Sequence, residues 1–81
     1  MVCEEIIKIM EEDMPSFFRR QDVEKYTNGL FKASTMSSMN RAGKGPTPRL
    51  MGRTVCYMRS EFISWLREYY GGMSSEFNIT R

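Results

Sequence analysis

Apolar positions along this chain recur with two different periods, and the change between them marks its organisation. Over residues 2–14, Val2, Ile6, Ile9 or Met10, and Met14 fall on one stripe at helical spacing. Pro15 ends the stretch, because the residue before a proline is pushed toward extended backbone. A helix of ~12 residues is marginal alone. This one docks on the rest of the chain, joins a second copy or frays, and the spacing does not choose. Ser16-Phe17-Phe18 is a short apolar step, and Arg20 to Tyr26 reads as a first core helix with Val23 and Tyr26 facing inward. Thr27-Asn28-Gly29 is turn chemistry, since Asn and Gly tolerate a positive φ. Leu30 and Phe31 follow as expected buried anchors. Ala33 to Arg41 reads as a second helix. It has Ala33, Met36 and Met39 or Asn40 on one face and Ser34, Ser37, Ser38 and Arg41 on the other. Lys32 and Thr35 lie near its start, and Gly43 suits its C-terminal cap.

Beyond Pro46 the period shortens to that of strands. Arg49-Leu50-Met51 and Thr54-Val55-Cys56-Tyr57 flank Gly52-Arg53 at two-residue hairpin spacing, and glycine in the first central position suits a type II′ turn. Ser60 reads as the N-cap of a closing helix, with Glu61 favoured by the positive helix start. Phe62, Ile63, Trp65, Leu66 and Tyr69 give that helix the clearest amphipathic pattern in the chain. Gly71-Gly72 is expected to end it. The order helix, tight turn, helix, hairpin, helix predicts an α+β fold: a small winged helix-turn-helix with an N-terminal helical extension. The expected division is an acidic amphipathic segment over 1–15, the winged domain over 16–72 and a flexible tail over 73–81.

Charge sharpens this picture. The 81 residues hold 12 Lys or Arg against 10 Asp or Glu, a net charge of +2 that hides an asymmetry. Glu4, Glu5, Glu11, Glu12 and Asp13 crowd the first 15 residues against Lys8 alone, whereas no acid occurs from Lys25 through Ser60. That acid-free stretch carries Lys25, Lys32, Arg41, Lys44, Arg49, Arg53 and Arg59, and a shared surface of such residues attracts a polyanion. The chain has no His, which removes His-based acid–base and nucleophile pairs and His-ligated metal sites. Cys3 and Cys56 are too few for a disulfide framework or a metal site. No catalytic constellation is present, so the expectation is a binding protein without enzymatic activity, cofactor or metal. No apolar run approaches the ~18 residues of a membrane span.

Three pieces of the chain, "RRQDVEKY", "KASTMSSMNRAGKGP" and "PRLMGRTVCYMRSEFISWL", together resemble the MerR-like winged helix-turn-helix domain of phage excisionases and AlpA-type regulators. The resemblance covers Phe18 to Tyr69. It departs from the family pattern in having Arg19 and Arg20 where a Ser or Thr cap usually opens the first helix, and in a slightly longer turn at "TNGLFK". It implies that the second helix enters the major groove and that the wing contacts the neighbouring minor groove or its backbone. The residue chemistry is compatible. Arg41 suits guanine or phosphate, and Ser34, Thr35 and Ser38 can donate to phosphates or base edges. Lys32 suits a phosphate, and Arg53 at the wing tip suits a narrow, electronegative minor groove. Lys44, Arg49 and Arg59 would flank it on the backbone, with Arg19 and Arg20 reaching phosphates from the first helix. Trp65, Phe62 and Tyr57 are expected in the core.

What the resemblance implies is a sequence-specific DNA-binding protein of a mobile element. The expected role is an excisionase, or recombination directionality factor, that binds and bends double-stranded DNA to favour integrase-mediated excision. The expected partners are DNA, an integrase or recombinase and further copies bound cooperatively on DNA. The expected location is the cytoplasm of a bacterial host, at the nucleoid. A small transcriptional regulator on the same fold is the alternative, because fold does not fix role. A protein-interaction module, in which residues 1–15 contact a partner or mask the basic surface, is the second alternative.

Overall fold

The computed structural model describes the backbone of residues 3–80 and the side chains of residues 3–71. Helix α1 (Glu4–Asp13) opens the chain with Glu4 and Glu5 in its first turn, where acids favour the helix dipole. Met14 leaves it in extended conformation, as the following proline requires. Ile7, Met10 and Met14 are buried, while Ile6 and Ile9 are about half exposed, at 52 % and 56 %. Met10 and Met14 thus lie on the core-facing stripe as expected, and Ile7 takes the place expected of Ile6. The doublets Ile6-Ile7 and Ile9-Met10 admit two stripes, and docking selects one of them. Val2 lies outside the described residues. Of the three fates open to this segment, the structure shows docking: α1 packs on the last helix, and its apolar residues join the single core.

The apolar step after Pro15 forms a strand, β1 (Phe17–Arg19), which the sequence pattern left unassigned. A single 3-10 turn (Arg20–Asp22) leads from it into the short helix α2 (Val23–Tyr26). Helix α3 (Ala33–Arg41) matches its expected bounds. Strands β2 (Arg49–Met51) and β3 (Thr54–Met58) form the expected hairpin, and the antiparallel sheet has the order β1-β3-β2. Gly52 takes φ +65° and Arg53 keeps an ordinary negative φ, as a type II′ turn requires. Phe18 lies opposite Tyr57 in the β1–β3 register, and both point into the core.

Thr27 governs the turn between α2 and α3. It is fully buried, its hydroxyl donates to the Val23 carbonyl at 2.7 Å, and the hydroxyl oxygen accepts the Phe31 amide at 3.2 Å. Asn28 and Gly29 take positive φ angles of 51° and 85°, as turn chemistry anticipates. Phe31 is buried, but Leu30 is 52 % exposed, so only the second of the two expected anchors is inside. The tight turn can aim just one of two consecutive side chains at the core. At its other end, α3 closes with the Gly43 amide on the Asn40 carbonyl and the Lys44 amide on the Met39 carbonyl, a Schellman pattern.

Helix α4 (Arg59–Thr80) begins one residue before the expected cap Ser60 and runs on through Gly71-Gly72. Glycine costs ~1 kcal/mol relative to alanine inside a helix but leaves the hydrogen-bond ladder intact, so the pair does not force an end. The segment 73–80 is therefore helical rather than a loose tail, and Arg81 lies outside the described residues. Phe62, Ile63 and Leu66 are buried. Phe62 meets Phe18 edge-on at 5.2 Å, and Phe31 packs among Phe62, Trp65, Tyr69 and Tyr70. Among the described residues, no helix is long and apolar enough to cross a membrane.

Candidate nucleic-acid interface

Helix α3 carries its polar residues outward because Met36 at its centre is fully buried and Ala33, Met39 and Asn40 are half-buried around it. Ser34, Thr35, Ser38 and Arg41 are exposed, as expected, and Ser37 is half-buried. Ala33 faces the hairpin: an open cleft of about 220 Å³ is lined by Arg20, Gln21, Ala33, Arg53, Thr54 and Val55. The first turn of α3 and the tip of the hairpin are therefore the two walls of one depression. Ser34 and Arg41 each follow a hairpin-side residue, Ala33 and Asn40, and stand ~100° further round the helix toward solvent. The start of α3 has no side-chain cap, since Lys32 occupies the N-cap position. Its unpaired amides and dipole add positive potential at the cleft.

The eleven residues singled out from sequence divide by what they touch. Lys32, Arg41, Lys44 and Arg53 are exposed and form no ion pair among the described residues, and Ser34, Thr35 and Ser38 have free hydroxyls there. Arg49 is bound to Glu61 by a two-pronged ion pair through Nε and Nη2. Hydrogen bonding to that carboxylate raises the Arg49 pKa above its ordinary value, and the same bond lowers that of Glu61. Arg19 pairs with Asp22 at 2.9 Å, which likewise raises its pKa. Both pairs are exposed and contribute little stability. They do, however, cancel the field of two cations.

Two residues have structural partners that the sequence did not announce. Arg59 is half-buried, and its Nη1 donates to the Met14 carbonyl at 3.1 Å, holding the exit of α1. Arg20 is also half-buried. Its Nε donates to the Tyr57 hydroxyl at 3.0 Å and its Nη2 to Asn40 Oδ1 at 2.8 Å. Tyr57 in turn donates to Asn40 Oδ1, and Asn40 Nδ2 donates to the Pro46 carbonyl at 2.6 Å. These bonds join the 3-10 turn, β3, the end of α3 and the following loop. Sequence reasoning missed Asn40 and Thr27 because each acts through partners whose identity depends on the folded backbone. Trp65 is only half-buried, and its Nε1 donates to the Lys44 carbonyl at 2.8 Å, so it pins the loop after α3 as well as packing. Tyr57 and Phe62 are fully buried core residues, as expected.

Among the described residues, fold and surface define a small α+β arrangement of four α-helices and a three-stranded antiparallel sheet, in which a polar helix and an arginine-tipped hairpin flank a cleft. No family model, curated protein or solved structure matches the chain.

Proposed function

We propose that this chain is a sequence-specific double-stranded-DNA-binding protein built as a winged helix-turn-helix. In this reading α2, the Thr27 turn and α3 are the helix-turn-helix, and the β2–β3 hairpin is the wing. The observation that carries it is the cleft between the start of α3 and the hairpin tip, lined by Arg20 and Arg53, neither of which forms an ion pair among the described residues. Arg41 reads a base edge or phosphate from the outer stripe of α3, Ser34, Thr35 and Ser38 contact phosphates or edges, and Arg53 enters the adjoining minor groove. Lys32 and Lys44 hold phosphates at the two ends of the helix. The paired Arg19 and Arg49 are secondary contacts, and Arg20 and Arg59 serve the fold. The resemblance of residues 18–69 to excisionase domains supports the more particular role of a directionality factor that bends DNA near an attachment site and works with an integrase.

A fluorescence-anisotropy titration of a labelled duplex over a salt series tests the reading. Four phosphate contacts give a slope of log affinity against log salt of about −3.6. A slope near zero, or no binding at low salt, would overturn it. Substituting Arg41 or Arg53 by Ala should weaken binding at an unchanged melting temperature.

A further inference from the structure

The Arg20–Tyr57–Asn40 cluster holds α3 at a fixed angle to the hairpin, and we infer that its three side chains position the two DNA-contacting elements rather than touch DNA themselves. This inference rests on the DNA-binding reading above. Asn40 sits in the last turn of α3, where an exposed asparagine could pair with adenine. Here its carbonyl oxygen accepts from both Arg20 and Tyr57, and its amide donates to the Pro46 carbonyl. Its main hydrogen-bonding capacity is thus engaged inside the protein. Arg20 uses Nε and Nη2 on two different elements, and its guanidinium carbon lies 5.9 Å from the centre of the Tyr57 ring. A lysine placed there would keep the charge but lose the planar fork.

The neighbouring chain is shaped to the cluster. A Cβ on Gly45 would come within 2.8 Å of Asn40 Nδ2 and 3.2 Å of the Asn40 amide nitrogen, so glycine leaves room for the amide. Tyr57 is fully buried in the central strand and lies opposite Phe18, so its hydroxyl is fixed by the sheet. The rigid sheet therefore dictates where the end of α3 rests, while Ala33 and Arg53 meet across the cleft at its start. Losing the cluster frees α3 to tilt against the wing. Such a tilt disturbs the simultaneous fit of both elements on one sequence but leaves the cations available to any duplex.

The test compares the full chain with Tyr57→Phe, Arg20→Lys and Arg20→Gln on two duplexes. One is a mixed-sequence duplex, and the other is enriched from a randomised pool by the wild-type chain. Positioning predicts that Tyr57→Phe and Arg20→Lys each lower the preference for the enriched duplex about tenfold. Affinity for the mixed duplex should stay within about twofold, and the double variant should lose little more than either single one. If Arg20→Lys keeps the full preference while Arg20→Gln weakens binding to both duplexes equally, Arg20 is a phosphate contact and the inference fails. A wild-type chain that binds no duplex overturns the DNA-binding reading instead. The clamp is then judged by NMR relaxation dispersion and residual dipolar couplings. New motion of α3 relative to the hairpin in Tyr57→Phe upholds it, and an unchanged α3 orientation and mobility sinks it.

Discussion

Thr27→Val isolates one hydroxyl at the turn that aims α3. The side chain is fully buried, and valine has nearly its shape, so the change removes polarity without opening a cavity. The Val23 carbonyl keeps the Thr27 amide at 3.0 Å after the substitution. The Phe31 amide loses the hydroxyl oxygen that accepts it, and Phe31 is itself buried. A buried donor left without a partner costs ~1–3 kcal/mol. Taking ~2 kcal/mol, a domain of this size loses roughly 10 °C in Tm. Thr27→Ser keeps the hydroxyl and sheds one methyl, a loss of ~0.8 kcal/mol. The expected order of stability is Thr, then Ser, then Val, read by calorimetry and by urea unfolding. Hydrogen exchange adds a local check, since the Phe31 amide should exchange faster in the valine variant than in the serine variant. A valine variant that melts at or above the serine variant refutes the assignment of the turn to this hydroxyl.

Other substitutions separate packing from binding. Gly45→Ala forces its Cβ against an Asn40 amide already tied to Pro46, and should cost ~1–3 kcal/mol in chemical denaturation. Arg53→Ala should reduce the salt slope by about 0.9 with no change in Tm, because its side chain bonds to no described residue. Glu61→Gln releases Arg49, so duplex affinity should rise and the slope should steepen; an unchanged titration shows that Arg49 faces away from DNA. The Glu61 pKa is depressed in the folded chain, so the pair's contribution is present above the unfolded value of 4.5 and is lost as pH falls through the lower folded value. Thermal melts from neutral to acid pH should therefore show the wild type and Glu61→Gln converging at the acid end.

Helix α3, the hairpin with its Gly52-Arg53 turn and the amphipathic start of α4 were legible because each is coded locally, by the spacing of apolar residues or by a glycine at a turn or helix end. What escaped is non-local. Phe17 to Arg19 becomes a strand only because β3, about 40 residues later, offers it a partner. Ile6 and Ile7 are chemically equal in sequence, and only docking on α4 decides that Ile7 goes inside. The cationic stretch was visible as charge, but its division into free and occupied members was not. Arg49 meets Glu61, Arg20 meets Tyr57 and Arg59 meets Met14 only in the folded chain. Gly71-Gly72 misled because glycine weakens a helix without breaking it.

Helix α3 is secured at three levels: by the Thr27 hydroxyl ahead of it, by Met36 in its middle and by Asn40 at its close. The hairpin tip has no such moorings, and a Cβ on Gly52 would find no atom within 4 Å. The room to yield thus lies at the tip of the finger alone, because its base is held in the sheet by the pairing of β3 with β1 and β2. When the chain meets an irregular surface, the finger adapts while the helix keeps its bearing, so the entropy lost on contact falls on a few residues around Gly52 and Arg53.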